Sequence, residues 1–81
     1  MPVILRFKGY KFFFFSNEGA PLEPLHIHVR KGKSVAKFWV QPVVRLAEAY
    51  EMSPKELCEL VKVIEENRTL IERNWNEYFG D

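Results

Sequence analysis

The spacing of apolar positions changes once along the chain. Between Val3 and Tyr50 apolar residues alternate with polar ones or run together in short stretches broken by Gly, Pro, Ser and Asn. After Ser53 they recur every three or four positions. The first regime is that of strands and the second that of an amphipathic helix.

Val3–Phe7 and Tyr10–Phe15 flank Lys8-Gly9, the signature of a tight hairpin. Pairing Phe7 with Tyr10 puts Val3, Leu5, Phe7, Tyr10, Phe12 and Phe14 on a core face. The opposite face then carries Ile4, Arg6, Lys11, Phe13 and Phe15. Phe13 and Phe15 make that face sticky, so a loop or a partner is expected to cover them. Residues 16–24 hold Ser, Asn, Gly and two prolines and read as a loop forming one wall of whatever site follows it.

A second hairpin is predicted from His26–Lys31 and Ser34–Val40 around Gly32-Lys33. Pairing Lys31 with Ser34 sends Ile27, Val29, Ala36, Phe38 and Val40 to the core. Side chains two apart in a strand share a face, so His26, His28 and Arg30 gather beside Val35, Lys37 and Trp39. His28 then lies across from Lys37 and His26 across from Trp39. Pro42 suits an edge or a corner, and Val43–Tyr50 fits a short strand or a helical turn, of which a last, short strand is favoured.

Ser53-Pro54-Lys55-Glu56 is a capped helix start with proline at its first position. Leu57, Leu60, Val61, Ile64, Ile71, Trp75 and Tyr78 fall near one stripe, which predicts one long helix over 53–79 lying on the sheet's core face. Trp75, Tyr78 and Phe79 are expected to pack on the sheet, with a partner-binding tip as the other reading.

These residues also resemble a family. Met1-Pro2-Val3-Ile4-Leu5-Arg6-Phe7, Ser16-Asn17, the Pro-x-His-x-His-Val stretch at 24–29, Ala36-Lys37-Phe38-Trp39, Ser53-Pro54-Lys55-Glu56-Leu57 and Asn74-Trp75-Asn76-Glu77-Tyr78-Phe79 together look like the bacterial domain-of-unknown-function 4160 family. The resemblance spans nearly the whole chain. Many relatives carry an acidic residue after the valine, where this chain has Arg30. The resemblance implies a small bacterial cytoplasmic protein, often encoded beside another small protein in a toxin–antitoxin-like pair. It brings no established activity.

The 81 residues make one α+β domain, with residues 1–50 forming the sheet region. An apolar content of 47% supplies a rich core with room for an interface. Cys58 is alone, which excludes an internal disulfide and fits a reducing cytoplasm. It is expected to pack rather than react. The longest unbroken apolar run, Phe12–Phe15, is far too short to span a membrane, and no charged-then-apolar leader opens the chain. Residues 1–37 hold seven basic and two acidic residues, residues 38–81 five basic and nine acidic. The first half can therefore attract an anion, or the two halves can attract each other or their copies.

Four readings compete for His26 and His28. They can be structural. They can ligate a metal with Glu23, although a stable site needs three or four ligands and no other ligand spacing is present. They can act as general base and acid on a phosphodiester, with Arg30 or Lys37 stabilising developing charge, as in a metal-independent ribonuclease. Or, with Lys31, Lys33, Lys37 and Trp39, they can form a surface for single-stranded nucleic acid or an acidic protein. The expectation is a small interaction module that docks a protein partner through this face or through Phe13 and Phe15. RNA binding or cleavage is the alternative. No metal or cofactor is invoked, and a homodimer is expected from the Phe12–Phe15 run.

Overall fold

The computed structural model of this chain describes residues 3–15 and 24–79. Five strands, β1 (Val3–Phe7), β2 (Tyr10–Phe13), β3 (His26–Lys31), β4 (Ser34–Trp39) and β5 (Arg45–Tyr50), form one antiparallel sheet in sequence order. Two helices follow, α1 (Pro54–Glu66) and α2 (Arg68–Phe79). The α+β class is as the sequence predicts, and the sheet has five strands where four to five are expected.

Turn chemistry sets the registers. Lys8 and Gly9 both take positive φ, 48° and 86°, the backbone of a two-residue turn that matches strand twist. Gly9 is also crowded: a Cβ there would stand 3.3 Å from Lys31 Cε. Gly32 opens the second turn at φ 59°. Phe7 pairs with Tyr10, and β3 pairs with β4 from Lys31↔Ser34 to His26↔Trp39, as expected.

Two bulges depart from simple alternation. In β1, Leu5 pairs with Phe12 but Val3 with Phe13, so one residue is left between them. Ile4 thereby packs against the core while Val3 is exposed, the reverse of their expected faces. In β5, Leu46 pairs with Phe38 and Glu48 with Lys37, leaving Ala47 as the extra residue. This strand is reached through a cis Gln41–Pro42 bond and is exposed throughout.

The single helix expected over 53–79 is two helices. Asn67 leaves helical geometry at φ −112°, ψ 18°. Its backbone N–H is shared between Val63 O at 3.1 Å and Ile64 O at 3.2 Å, and its side-chain amide folds back to donate to the same Val63 carbonyl at 2.8 Å. Asparagine favours such termini over helix interiors, and α2 restarts with Ile71 N donating to Asn67 O at 3.0 Å. The break shifts the apolar stripe: Ile71, Trp75 and Phe79 face inward, whereas Tyr78 is exposed. The start of α1 is as predicted, with Ser53 and Glu56 reciprocally capping it. Cys58 is exposed on α1, not packed.

The start of α2 is fixed to the corner before β5. Arg68 donates to Pro42 O at 2.8 Å and to Glu72 Oε2 at 2.9 Å, and Gln41 donates to the same carboxylate at 3.1 Å. The Gln41 bond, then the Arg68 bond, hold the Glu72 carboxyl below its ordinary pKa.

Both helices cover one face of the sheet. Leu60, Val63, Ile64 and Ile71 meet Phe12, Phe14, Ile27, Val29, Ala36, Phe38 and Val40. Fully burying one such Leu, Ile or Phe side chain contributes roughly 1.5–3 kcal/mol. At one margin of this core, buried Tyr10 donates its hydroxyl to Glu56, which holds the phenol's pKa up at about 12; burial adds to the effect. The folded pKa exceeds the ordinary tyrosine value near 10. This contact therefore contributes its full stability below about pH 10 and loses it as pH rises toward 12. In an alkaline titration followed at the tyrosinate absorbance, a late step near pH 12 is expected, absent in Tyr10→Phe. A wild-type curve without that step would contradict the contact.

Candidate functional site

The sheet face opposite the helices is built in rows. One row runs Arg6, Lys11, Arg30, Val35, Tyr50 across all five strands. The next runs Val3, Phe13, His28, Lys37, Glu48. A third, over β3 to β5, runs His26, Trp39, Arg45. Five cations thus share this face with Glu48. The two ion pairs among the described residues, Lys8–Glu59 and Arg68–Glu72, lie elsewhere. Lys37 stands opposite Glu48 in register, yet its Nζ sits 4.6 Å from the centroid of the Trp39 ring.

The two histidines occupy different environments. His26 is fully buried. Its Nδ1 lies 2.9 Å from Pro24 O. A carbonyl only accepts, so Nδ1 carries the proton and donates. Aromatic rings surround His26: Trp39 at 5.5 Å, Trp75 of α2 at 5.3 Å and His28 at 5.3 Å. Trp75 also meets Phe14 at 5.2 Å and Phe79 at 4.4 Å, so His26 belongs to the cluster that holds α2 on the sheet. His28 is half-buried and faces outward, stacked on Phe13 at 5.7 Å and edge-on to Phe15 at 4.4 Å.

A trough of about 300 Å³ crosses the outer face. Val29, Ala36 and Ala49, which take the core-facing positions of their strands, also border it. Phe13, Phe15 and His28 line it on one side, Tyr50 and Val35 on the other, and Arg30, Lys37 and Glu48 supply its charges.

Of the residues the sequence pointed to, Phe13, Phe15, His28, Arg30 and Lys37 converge on this trough. His26 and Trp39 share the face but do not line it. Lys31 points to the helix side, with its Nζ 4.8 Å from the Tyr10 ring centroid. Lys33 sits in the exposed turn. Phe13 is only 8% exposed because Phe15 and His28 cover it, so the chain itself satisfies much of the stickiness that suggested a dimer. The expected loop wall at 16–24 lies, apart from Pro24, outside the described residues, as does Glu23. Among the described residues no three His, Cys, Asp or Glu side chains cluster as metal ligands do. Glu48 and Tyr50 were missed. Their signal is the pairing of Val35 with Tyr50, which follows only once a fifth strand is laid beside Ser34–Trp39.

Fold and site together define a small α+β protein with a helix-covered sheet and one open, cationic and aromatic sheet face. The chain belongs to the family described as Domain of unknown function (DUF4160), whose model matches residues 9–76. Neither a curated protein nor a solved structure matches it. No helix among the described residues is long and apolar enough to cross a membrane.

Proposed function

We propose that this protein is a small cytoplasmic interaction module, one member of a toxin–antitoxin-like pair, which docks an anionic macromolecular partner on its open sheet face. The observation that supports the reading is the two-sidedness of the sheet. One face is covered over its central strands by α1 and α2. The other carries Arg6, Lys11, Arg30, Lys37 and Arg45 around an aromatic trough. The helices carry six glutamates against four basic residues, so an anion is steered to one side only. The burial of His26 favours docking over acid–base chemistry, because a ring enclosed by Trp39 and Trp75 does not meet a substrate in the trough.

The reading is tested by placing a photo-cross-linking amino acid at the Tyr50 position or, separately, at Glu66 on the exposed side of α1. In cells expressing each variant, Tyr50 is expected to cross-link a macromolecule and Glu66 is not. Cross-links from Glu66 alone, or from neither position, would overturn it.

A further inference from the structure

The chemistry of the trough narrows the class of anion. An acidic protein and a nucleic acid would both be drawn to the cations, and Glu48 limits which part of either can enter the trough itself. It stands in the trough between the Lys37 and Tyr50 positions. A carboxylate there repels any anion, an Asp or Glu side chain and a phosphate alike, so the group that enters beside it must be neutral. It accepts hydrogen bonds from the amino and imino N–H groups that nucleobases carry on their edges.

The walls give the same answer. Phe15, which packs on Phe13 and His28, and Tyr50 are 37% and 62% exposed, aromatic rings that line opposite sides of the trough. Flat rings of this kind stack with any base. A volume of about 300 Å³ stands at the lower end of small-ligand sites, which run to roughly 1,000 Å³, and suits one base with its sugar rather than a stacked pair. Beside the trough, Arg6, Lys11 and Arg30 occupy facing positions on three adjacent strands and are all exposed. Strands lie about 5 Å apart, so these cations form a continuous rail leading to the trough. Arg30 is held by its guanidinium group, the Nε donating to Gly32 O at 3.3 Å, which reduces the freedom it would lose on binding while its Nη groups stay available.

We infer that the open face binds single-stranded nucleic acid, with one unpaired base in the trough between Phe15 and Tyr50 and the adjoining phosphates along Arg6, Lys11 and Arg30. This rests on the reading of the open face as a docking surface. A duplex does not serve, because its bases are already stacked and paired.

The test is fluorescence anisotropy with the full chain and labelled single strands of about 12 nucleotides, RNA and DNA in separate arms. An RNA duplex of equal length and an oligoglutamate peptide serve as comparisons. Single strands are expected to bind and the duplex to bind at least about tenfold more weakly, because it offers no free base to stack. Between about 50 and 200 mM salt, three phosphate contacts give a log–log slope near −2. Arg30→Ala should reduce that slope by about 0.7. Tyr50→Ala should raise Kd about tenfold and leave the slope unchanged. Both residues are exposed, and thermal melts confirm that the variants fold. Preference of RNA over DNA, or the reverse, supports the inference and identifies the strand. Equal binding of duplex and single strand, or an unchanged Kd in Tyr50→Ala, would overturn it. Retention of oligoglutamate in place of nucleic acid would overturn it too while leaving the docking surface standing. Failure of every anion, together with no cross-link from Tyr50, would bring down both.

Discussion

His26→Ala is expected to destabilise the fold by about 3 kcal/mol, as other buried aromatic truncations do, whereas His28→Ala should cost no more than about 1 kcal/mol. The asymmetry follows from surroundings and not from chemistry, since the two side chains are identical and two residues apart. His26 has no exposed surface, donates to Pro24 O and touches rings from β4 and α2. Its removal opens a cavity where sheet and helix join and leaves the Pro24 carbonyl without that donor. His28 is half-buried and loses ring contacts with Phe13, Phe15 and the edge of His26, at a surface where water can enter. Urea unfolding of the two variants is the measurement. Equal midpoints would show that His26 is not the packed element described here. The binding phenotypes should run the other way: His28→Ala weakens ligand retention in a folded protein.

The second large effect is Phe14→Ala, expected to cost about 4 kcal/mol and to lower Tm by roughly 20 °C in a domain of this size. Phe14 follows β2 and is fully buried. It meets Trp75 edge-on at 5.2 Å and Phe79 at 5.7 Å, and α2 buries only Ile71 completely. Two of the three inward positions of α2 thus depend on this one ring. A domain with a total stability of about 5–15 kcal/mol would retain little. Trp75 fluorescence should shift to the red in the folded variant as its environment becomes wetter. A Tm within a few degrees of wild type would contradict this account of how α2 is held.

The second hairpin was legible in the sequence to the residue, because Gly32 fixes the turn and a one-residue slip would put Ile27 and Val29 in water. The face shared by His26, His28, Arg30, Lys37 and Trp39 followed directly from it. What covers that face did not follow. Strand alternation says on which side of a sheet a side chain lies and nothing about which distant residue meets it there, so the enclosure of His26 by Trp75 was invisible. The bulges at Ile4 and Ala47 were equally hidden, since an extra residue leaves no compositional mark in Val-Ile-Leu or Leu-Ala-Glu. The break at Asn67 had a local cue in the asparagine, outweighed by the seven-residue spacing of Ile64 and Ile71, which keeps both on one helical stripe. Tyr50 and Glu48 needed the fifth strand's partner and register before they could be placed.

The two bulges also decide how copies of this chain can meet. An uninterrupted outer strand is a template on which another strand can grow, and stacked growth of that kind ends in fibrils. Here both outer strands, β1 and β5, carry an interruption, so a regular ladder cannot be extended across either margin without breaking step.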